Sequence, residues 1–364
     1  MRITLGTANA LSLIFFSHKV LPLLASPSTK KSNIATTCFV LLHTVQFHFL
    51  FWAGRTTHNS LVLGPSKSNF VEHGTQALIS PPLLSAALIA LALILRSSAI
   101  PSQSPTATRC GPLMGVALLV FCGAVLRAEL IGLLLPSCLW LLALRKVSIA
   151  QLATVGLVTL SAAIGESTNV TAASHGKTHP TTSLAGIMTL LDKPLWVGIH
   201  ESTPTPVIDS VLPSSFALAL HSLEQSIFWP ELEALKFNVL QGKSADWGVM
   251  PWHFYLSNAL PKLLTFTSPL VILHLVRMAT QRADDTSFTE DRSTAPADEK
   301  TAKRKIEHTP LERERTQRQA QIGLLAIVLG HVGVLSLLGH KEWRFIVYVV
   351  PCLNAFAATE LASM

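Results

Sequence analysis

The sequence predicts an all-α, multispanning membrane protein, and three observations predict it. Charged residues make up only 13% of the 364 residues, where soluble domains carry about 25%. Hydrophobic residues reach 49% and mean hydropathy is +0.44. The charge is also concentrated, with 18 of the 49 Asp, Glu, Lys and Arg residues in 281–321. The rest of the chain is therefore poorer still, which argues against a water-soluble enzyme and against a disordered chain. The net charge of +7 fits basic cytosolic loops, and no zinc spacing, RNP-like run or helix-turn-helix pattern points to a nucleic-acid partner.

The elements follow in order. Apolar runs at about 4–25, 35–53, 79–95, 113–126, 130–144, 149–164, 260–277, 322–338 and 344–358 are read as helices, against the roughly 20 apolar residues a crossing takes. Residues 4–25 carry His18 and Lys19 mid-run and lack a clean cleavage site, so they read as an uncleaved anchor. The runs 113–126 and 130–144 flank Arg127-Ala128-Glu129 and read as one broken helix or a hairpin of half-spans, tolerated where protein surrounds the break. Cys38, Cys122, Cys138 and Cys352 lie in or beside apolar runs and Cys110 in a loop. Without metal or redox spacing they read as small buried hydrophobes.

The chain divides into N-terminal spans (1–164), a disordered lumenal insert (165–215), a lumenal aromatic loop and span (216–280), a cytosolic charged loop (281–321) and C-terminal spans (322–364). Lys30-Lys31, Arg145-Lys146 and the nine Lys/Arg of 281–321 orient these segments to the cytosol by the positive-inside rule. Counting outward puts 54–78, 165–259 and 339–343 on the lumenal side. Asn169-Val170-Thr171, a glycosylation acceptor, falls on that side independently.

Four constellations carry chemistry. Residues 228–261 interleave Trp229, Trp247, Trp252, His253 and Tyr255 with Glu231 and Asp246. They read as an interfacial aromatic belt or as a surface on which sugar rings stack. His340-Lys341-Glu342-Trp343-Arg344-Phe345 sets excess positive charge at a helix end, suited to an anionic phosphate or to marking the interface. Arg127 and Glu129 read as a structural ion pair or part of a site. Gln46-Phe47-His48 with Arg55 to Asn59 is the fourth, with His48 most simply a satisfied core histidine. No GxSxG, P-loop or HExxH is present, and no metal or cofactor is expected. A solute transporter would show repeated spans, and none is visible.

These residues resemble the dolichyl-phosphate-mannose-dependent mannosyltransferases of glycosyltransferase family 22, nearest to the branch that adds the eighth mannose in asparagine-linked glycosylation. The matches run in family order: Gln46 to Asn59, Arg127 to Leu130, Arg145 to Ser148, Trp229 to Leu232, Asp246 to Gly248, Pro251 to Tyr255, His340 to Ile346, Pro351 and Asn354. The resemblance implies a GT-C-like body in the endoplasmic reticulum membrane with a lumen-facing site. It implies dolichyl phosphate mannose as donor, dolichyl-diphosphate oligosaccharide as acceptor, and an inverting transfer that makes an α-1,6 bond. His340, Lys341 and Arg344 would face the donor phosphate, while Trp229, Trp247, Trp252, His253, Tyr255 and Arg127 would hold substrate. The base is left open among Asp246, Glu129 and Glu231. Residues 1–34 contain no Asp or Glu, where the family has an acidic first loop, and 165–215 resemble nothing in it. The expectation is thus a member truncated at both ends. The alternative is a catalytically inactive membrane fragment that at most binds dolichyl phosphate or a partner.

The orientation has a direct check. In microsomes, Asn169→Gln should remove one glycan, and protease added outside should cut within 281–321 and spare 228–261. Protection of 281–321 would invert the topology.

Overall fold

The computed structural model describes residues 2–25, 29–46, 80–99, 107–125, 127–173, 242, 248–287 and 310–364. Among the described residues the regular structure is helical, with no strand, as the composition predicts. The helices are α1 (Arg2–Leu24), α2 (Thr29–Val45), α3 (Ser80–Ala99) and α4 (Ala107–Val125). A 3₁₀ turn at Ala128–Leu130 leads into α5 (Ile131–Ala143), which is followed by α6 (Ile149–Ala173). A π-helical turn, Tyr255–Ala259, runs into the short α7 (Leu260–Leu264), then a 3₁₀ turn, Thr265–Thr267, and α8 (Ser268–Ser287). Next come α9 (Pro310–Ser336), a 3₁₀ turn at Trp343–Ile346 and α10 (Val349–Ser363). Prolines open α3, α8, α9 and α10 within the first turn, where a missing N–H leaves no helical bond unmade.

Among the described residues three stretches are long and apolar enough to cross a membrane: Gly6–Leu24, Tyr255–Thr280 and Glu312–Ser336. Shorter apolar helices at Leu83–Ser97, Cys110–Ala124, Ala128–Ala143, Ile149–Ala163 and Val349–Ser363 pack among them. The bundle is built by α1 against α3, α3 against α4, α4 against α6, α5 against α9, and α10 against both α2 and α8. Phe16, Leu88, Leu91, Ile94, Leu324, Ile327 and Phe356 are buried at its centre, while Leu139, Ile149, Leu157 and Val158 face outward.

Lipid is as apolar as leucine, so close approach of backbones, rather than water exclusion, holds such helices together. Glycines mark where this happens. A Cβ on Gly111 would lie 2.5 Å from Ser97 Oγ, and one on Gly115 would lie 2.8 Å from the Ala90 carbonyl. Gly111 and Gly115, one turn apart, therefore seat α4 on α3. On α9, a Cβ on Gly323 would meet the Trp140 indole at 2.6 Å, and one on Gly330 would meet Pro136 at 2.5 Å. These two positions seat α9 on α5.

The structure departs from the sequence expectations in four places. Helix α4 starts at Ala107, so Cys110 is an exposed helical residue and not a loop residue. The glycine seats on α3 carry the helix outward past the polar start of the apolar run. Helix α6 continues to Ala173, into the stretch read as an insert, while 174–240 lie outside the described residues. The charged segment is helical at both ends, to Ser287 and from Pro310. Residues 310–321 are rich in Glu, Arg and Gln, strong helix formers, and Gln317 and Gln321 donate to the Leu24 carbonyl at 2.9 and 3.0 Å. The span read at 260–277 is broken at Thr265.

That break is a strained one, because Thr265 has φ 53° and ψ −122°, which β-branched residues rarely adopt. The Leu264 carbonyl accepts from the Thr265 and Thr267 hydroxyls, both at 2.7 Å, and from Gln46 Nε2 at 3.2 Å. Gln46 and Asn354 pair reciprocally through their amides, Nδ2 to Oε1 at 2.7 Å and Nε2 to Oδ1 at 3.1 Å. His43 Nδ1 donates to the Phe39 carbonyl at 2.7 Å, so its Nε2 accepts from Asn354 Nδ2 at 3.2 Å. Two side chains that the sequence singled out thus lock α2 and α10 around the break.

The glycine seats can be tested against an open position. Gly323→Ala should destabilise the chain by about 1–3 kcal/mol through overpacking, measured by unfolding in detergent. Gly156, with nothing within 4 Å of a built Cβ, should gain up to about 1 kcal/mol as Ala.

Candidate functional site

The site forms where two helix breaks and one loop meet at one end of α9. The first break is Arg127, whose extended backbone (φ −158°, ψ 118°) ends α4 before the 3₁₀ turn. Arg127 Nη2 donates to Glu129 Oε2 at 2.8 Å, and the Tyr348 hydroxyl donates to Glu129 Oε1 at 3.0 Å. Both carboxylate oxygens are therefore engaged, as a half-buried charge requires. The guanidiniums of Arg127 and Arg344 lie 6.0 and 5.8 Å from the Phe345 ring centroid, within cation–π reach.

The second break is the 337–348 segment between α9 and α10. Glu342 is its hub. His340 Nε2 donates to Glu342 Oε1 at 3.1 Å and Arg344 Nη2 donates to the same oxygen at 2.7 Å. Arg344 Nε also lies in ion-pair range of Glu342 Oε2. Lys341 turns the other way. It is 4% exposed, and its ammonium donates to the carbonyls of Met250 at 3.0 Å and Leu338 at 2.5 Å. Burial holds its pKa below the ordinary lysine value. Met250 N donates to the Gly339 carbonyl at 3.1 Å, so Lys341 and this bond pin the 248–252 loop to the end of α9.

The loop then enters the π-helical turn at Tyr255–Ala259, a geometry enriched at functional sites. Gly248 has φ 99°, a conformation glycine adopts without strain. Tyr255 is fully buried, with its phenol within electrostatic reach of Glu129 and Glu342. Trp252 is 72% exposed, and His253 Nδ1 lies 2.9 Å from the Ser257 hydroxyl. Beneath the site, Pro136 cannot donate to the Gly132 carbonyl one turn back. His331 packs its Nδ1 edge against Gly132 and donates from Nε2 to the Phe345 carbonyl at 3.0 Å.

The structure thus brings together Arg127, Glu129, Tyr255, His340 and Arg344 of the sequence-predicted residues, and sets Trp252 and His253 on the adjoining loop. Lys341 is in the same segment but directed at backbone carbonyls. Trp229, Glu231, Asp246, Trp247, His48 and residues 55–59 lie outside the described residues, as does the side chain of Asn169. Sequence reasoning missed Tyr348 and His331. Tyr348 is one of only two tyrosines and lies two residues past the matched motif, which was a usable signal. His331, inside an apolar helix, offered none. No group of three or more metal-ligating side chains forms among the described residues.

A profile of the Alg9-like mannosyltransferase family matches residues 1–364. The chain belongs to the Alg9-like mannosyltransferase family. It is similar to the "Probable Dol-P-Man:Man(7)GlcNAc(2)-PP-Dol alpha-1,6-mannosyltransferase" of Schizosaccharomyces pombe, at 24% identity over 333 residues, 92% of this chain and 39% of that protein. It is also similar to the Aspergillus fumigatus "GPI mannosyltransferase 3", 29% identical over 36% of this chain and 14% of that protein. The Drosophila melanogaster "Dol-P-Man:Man(7)GlcNAc(2)-PP-Dol alpha-1,6-mannosyltransferase" is 28% identical over the same shares. The chain thus spans about two fifths of the fission-yeast relative's length. No solved structure matches it. Of the motifs that resemble this family, Arg127 to Leu130, Pro251 to Tyr255 and His340 to Ile346 meet in the site described above.

The Glu129 anchor has a specific test. Tyr348→Phe should cost about 1.5–3 kcal/mol, the range for a hydrogen bond to a charged group. A double-mutant cycle with Glu129→Gln should give a coupling above about 0.5 kcal/mol. Additive effects would remove the bond from the account.

Proposed function

We propose that the chain acts in mannosyl transfer at the endoplasmic reticulum membrane. Mannose moves from dolichyl phosphate mannose to dolichyl-diphosphate oligosaccharide, through an α-1,6 linkage, in protein N-glycosylation. One observation carries this reading. The fission-yeast relative whose name states that activity aligns over 92% of the chain, whereas the Aspergillus GPI mannosyltransferase aligns over 36%.

The chemistry is a displacement at C1 of the donor. The acceptor hydroxyl oxygen forms the new bond to C1 as the bond to the phosphate oxygen breaks. Its proton goes to a carboxylate and the bonding electron pair leaves with dolichyl phosphate, inverting the anomeric centre. Arg344 and His340, converging on Glu342, are the cations assigned to the leaving phosphate. A planar guanidinium meets two phosphate oxygens at once, and a preorganised donor favours the charge as it develops. Lys341, tied to Met250 and Leu338, positions the 248–252 loop beside them. Glu129 holds Arg127 through one oxygen and takes the Tyr348 bond on the other, which suits a positioning role and leaves Asp246 and Glu231 as candidates for the base. Trp252, with Trp229, Trp247 and His253, is assigned to the sugars, while the sequence-predicted Tyr255 is fully buried and supports the turn beneath them. The site faces the lumen, opposite 281–321, with Asn169 glycosylated on the same side.

Two other readings have their own support. The similarity to GPI mannosyltransferases favours a glycolipid acceptor. The absence of acids from residues 1–34 favours a chain that binds dolichyl phosphate without transfer. The experiment supplies microsomes carrying the chain with radiolabelled dolichyl phosphate mannose and a seven-mannose lipid-linked oligosaccharide or a GPI precursor. An eight-mannose product is expected, reduced about 100-fold or more by Arg344→Ala. Labelling of the GPI precursor alone would move the assignment to the second reading. Donor retention without transfer to either acceptor would leave the third.

A further inference from the structure

The end of the bundle away from His340 and Arg344 holds a polar cavity, of about 140 Å³, that the transfer chemistry does not use. It lies where α1 ends and α2 begins, walled by α8, α9 and α10, and Lys31, His274, Arg277, Gln317, Gln321 and Glu360 line it. Gln321 on α9 is 15 residues before Ser336, about 22 Å at helical rise, so the two sites sit at opposite ends of the same helix.

The cavity is built. Glu360 is 1% exposed, with Oε2 at 3.2 Å from His274 Nδ1 and Oε1 at 2.9 Å from Arg277 Nη1. The His274 ring is fixed by stacking on Phe356, with centroids 5.0 Å apart. His274 is 5% exposed, and its Nε2 is buried with no hydrogen-bond partner. A buried ring nitrogen left unpaired is costly unless a ligand meets it. Arg277 balances the charge of Glu360, while Lys31 forms no ion pair among the described residues, so the lining has one positive charge in excess.

We propose that this cavity binds a phosphate group, held by Lys31, Arg277 and the Nε2–H of His274, whose ring takes up a proton on binding so that Nδ1 donates to Glu360 and Nε2 to the phosphate, and carried there as the phosphodiester headgroup of an anionic phospholipid. The volume exceeds the roughly 30 Å³ share of a single water. The position, at the ends of membrane-crossing helices, is where basic pockets meet headgroups. This assignment does not depend on the transfer reaction.

The test is native mass spectrometry of the full chain released from nanodiscs of phosphatidylcholine alone or with phosphatidylinositol, with and without inorganic phosphate. Phosphatidylinositol should be retained in preference to phosphatidylcholine. Lys31→Glu should lower that retention about fivefold or more, with the unfolding temperature in detergent unchanged. Lys30→Glu, at an exposed neighbour outside the cavity lining, should leave retention as it was. His274→Phe, which keeps a stackable ring and removes the nitrogens, should also lower retention. Displacement of the lipid by millimolar inorganic phosphate would support the phosphate site with a soluble occupant, and its failure would support the lipid. Equal retention of the two lipids, or equal loss in the Lys30 and Lys31 variants, would overturn the proposal.

Discussion

A backbone carbonyl released by a broken helix has no water to turn to inside an apolar bundle, and each one left unpaired costs several kcal/mol. The packing of this chain follows from that constraint. Its helices are interrupted at Arg127, at Thr265 and between Ser336 and Val349. At the second and third of these a side chain supplies a missing partner. Gln46 reaches the Leu264 carbonyl, His331 reaches the Phe345 carbonyl, and Lys341 reaches those of Met250 and Leu338.

The interruptions are also what allow charge into the bundle. A continuous helix through 127–129 would place Arg127 and Glu129 on different faces, since residues two apart do not meet. The extended Arg127 and the 3₁₀ turn fold them onto each other at 2.8 Å. The same device operates in the 340–346 segment, where His340 and Arg344 converge on Glu342. Positive charge is held beside an acid of modest exposure, and in the proposed reaction a phosphate arriving there would exchange one anion for another and meet cations that are already oriented. That preorganisation is what a site for a charged leaving group requires.

The two ends of α9 have unlike chemistry. At the His340 end, aromatic rings and paired charges line a loop with Trp252 and Leu337 strongly exposed, at 72% and 86%. At the other end, glutamine amides and the buried Glu360 line a polar cavity. The glycine seats at Gly323 and Gly330 fix α9 against α5 between them. Both ends therefore depend on the same helix contact.

The sequence by itself determined the class and the order of the helices. Apolar runs, proline positions and charge concentration are local properties, and a bilayer reads them directly. It also singled out Gln46, Arg127, Glu129, Arg344 and Asn354, through the pattern of residues that resembles the family. Only the tertiary structure decided what each of them touches. Tyr348 and Glu129 are 219 residues apart, and Gln46 and Asn354 are 308 apart. Nothing in composition or spacing says which buried donor meets which acceptor across such distances. The same holds for Lys341, whose charge in the sequence pointed to a phosphate, whereas the carbonyls exposed by the end of α9 direct it inward. Partner choice is settled by which helices can approach closely. Here that depends on glycines whose effect appears only once a second helix lies against them.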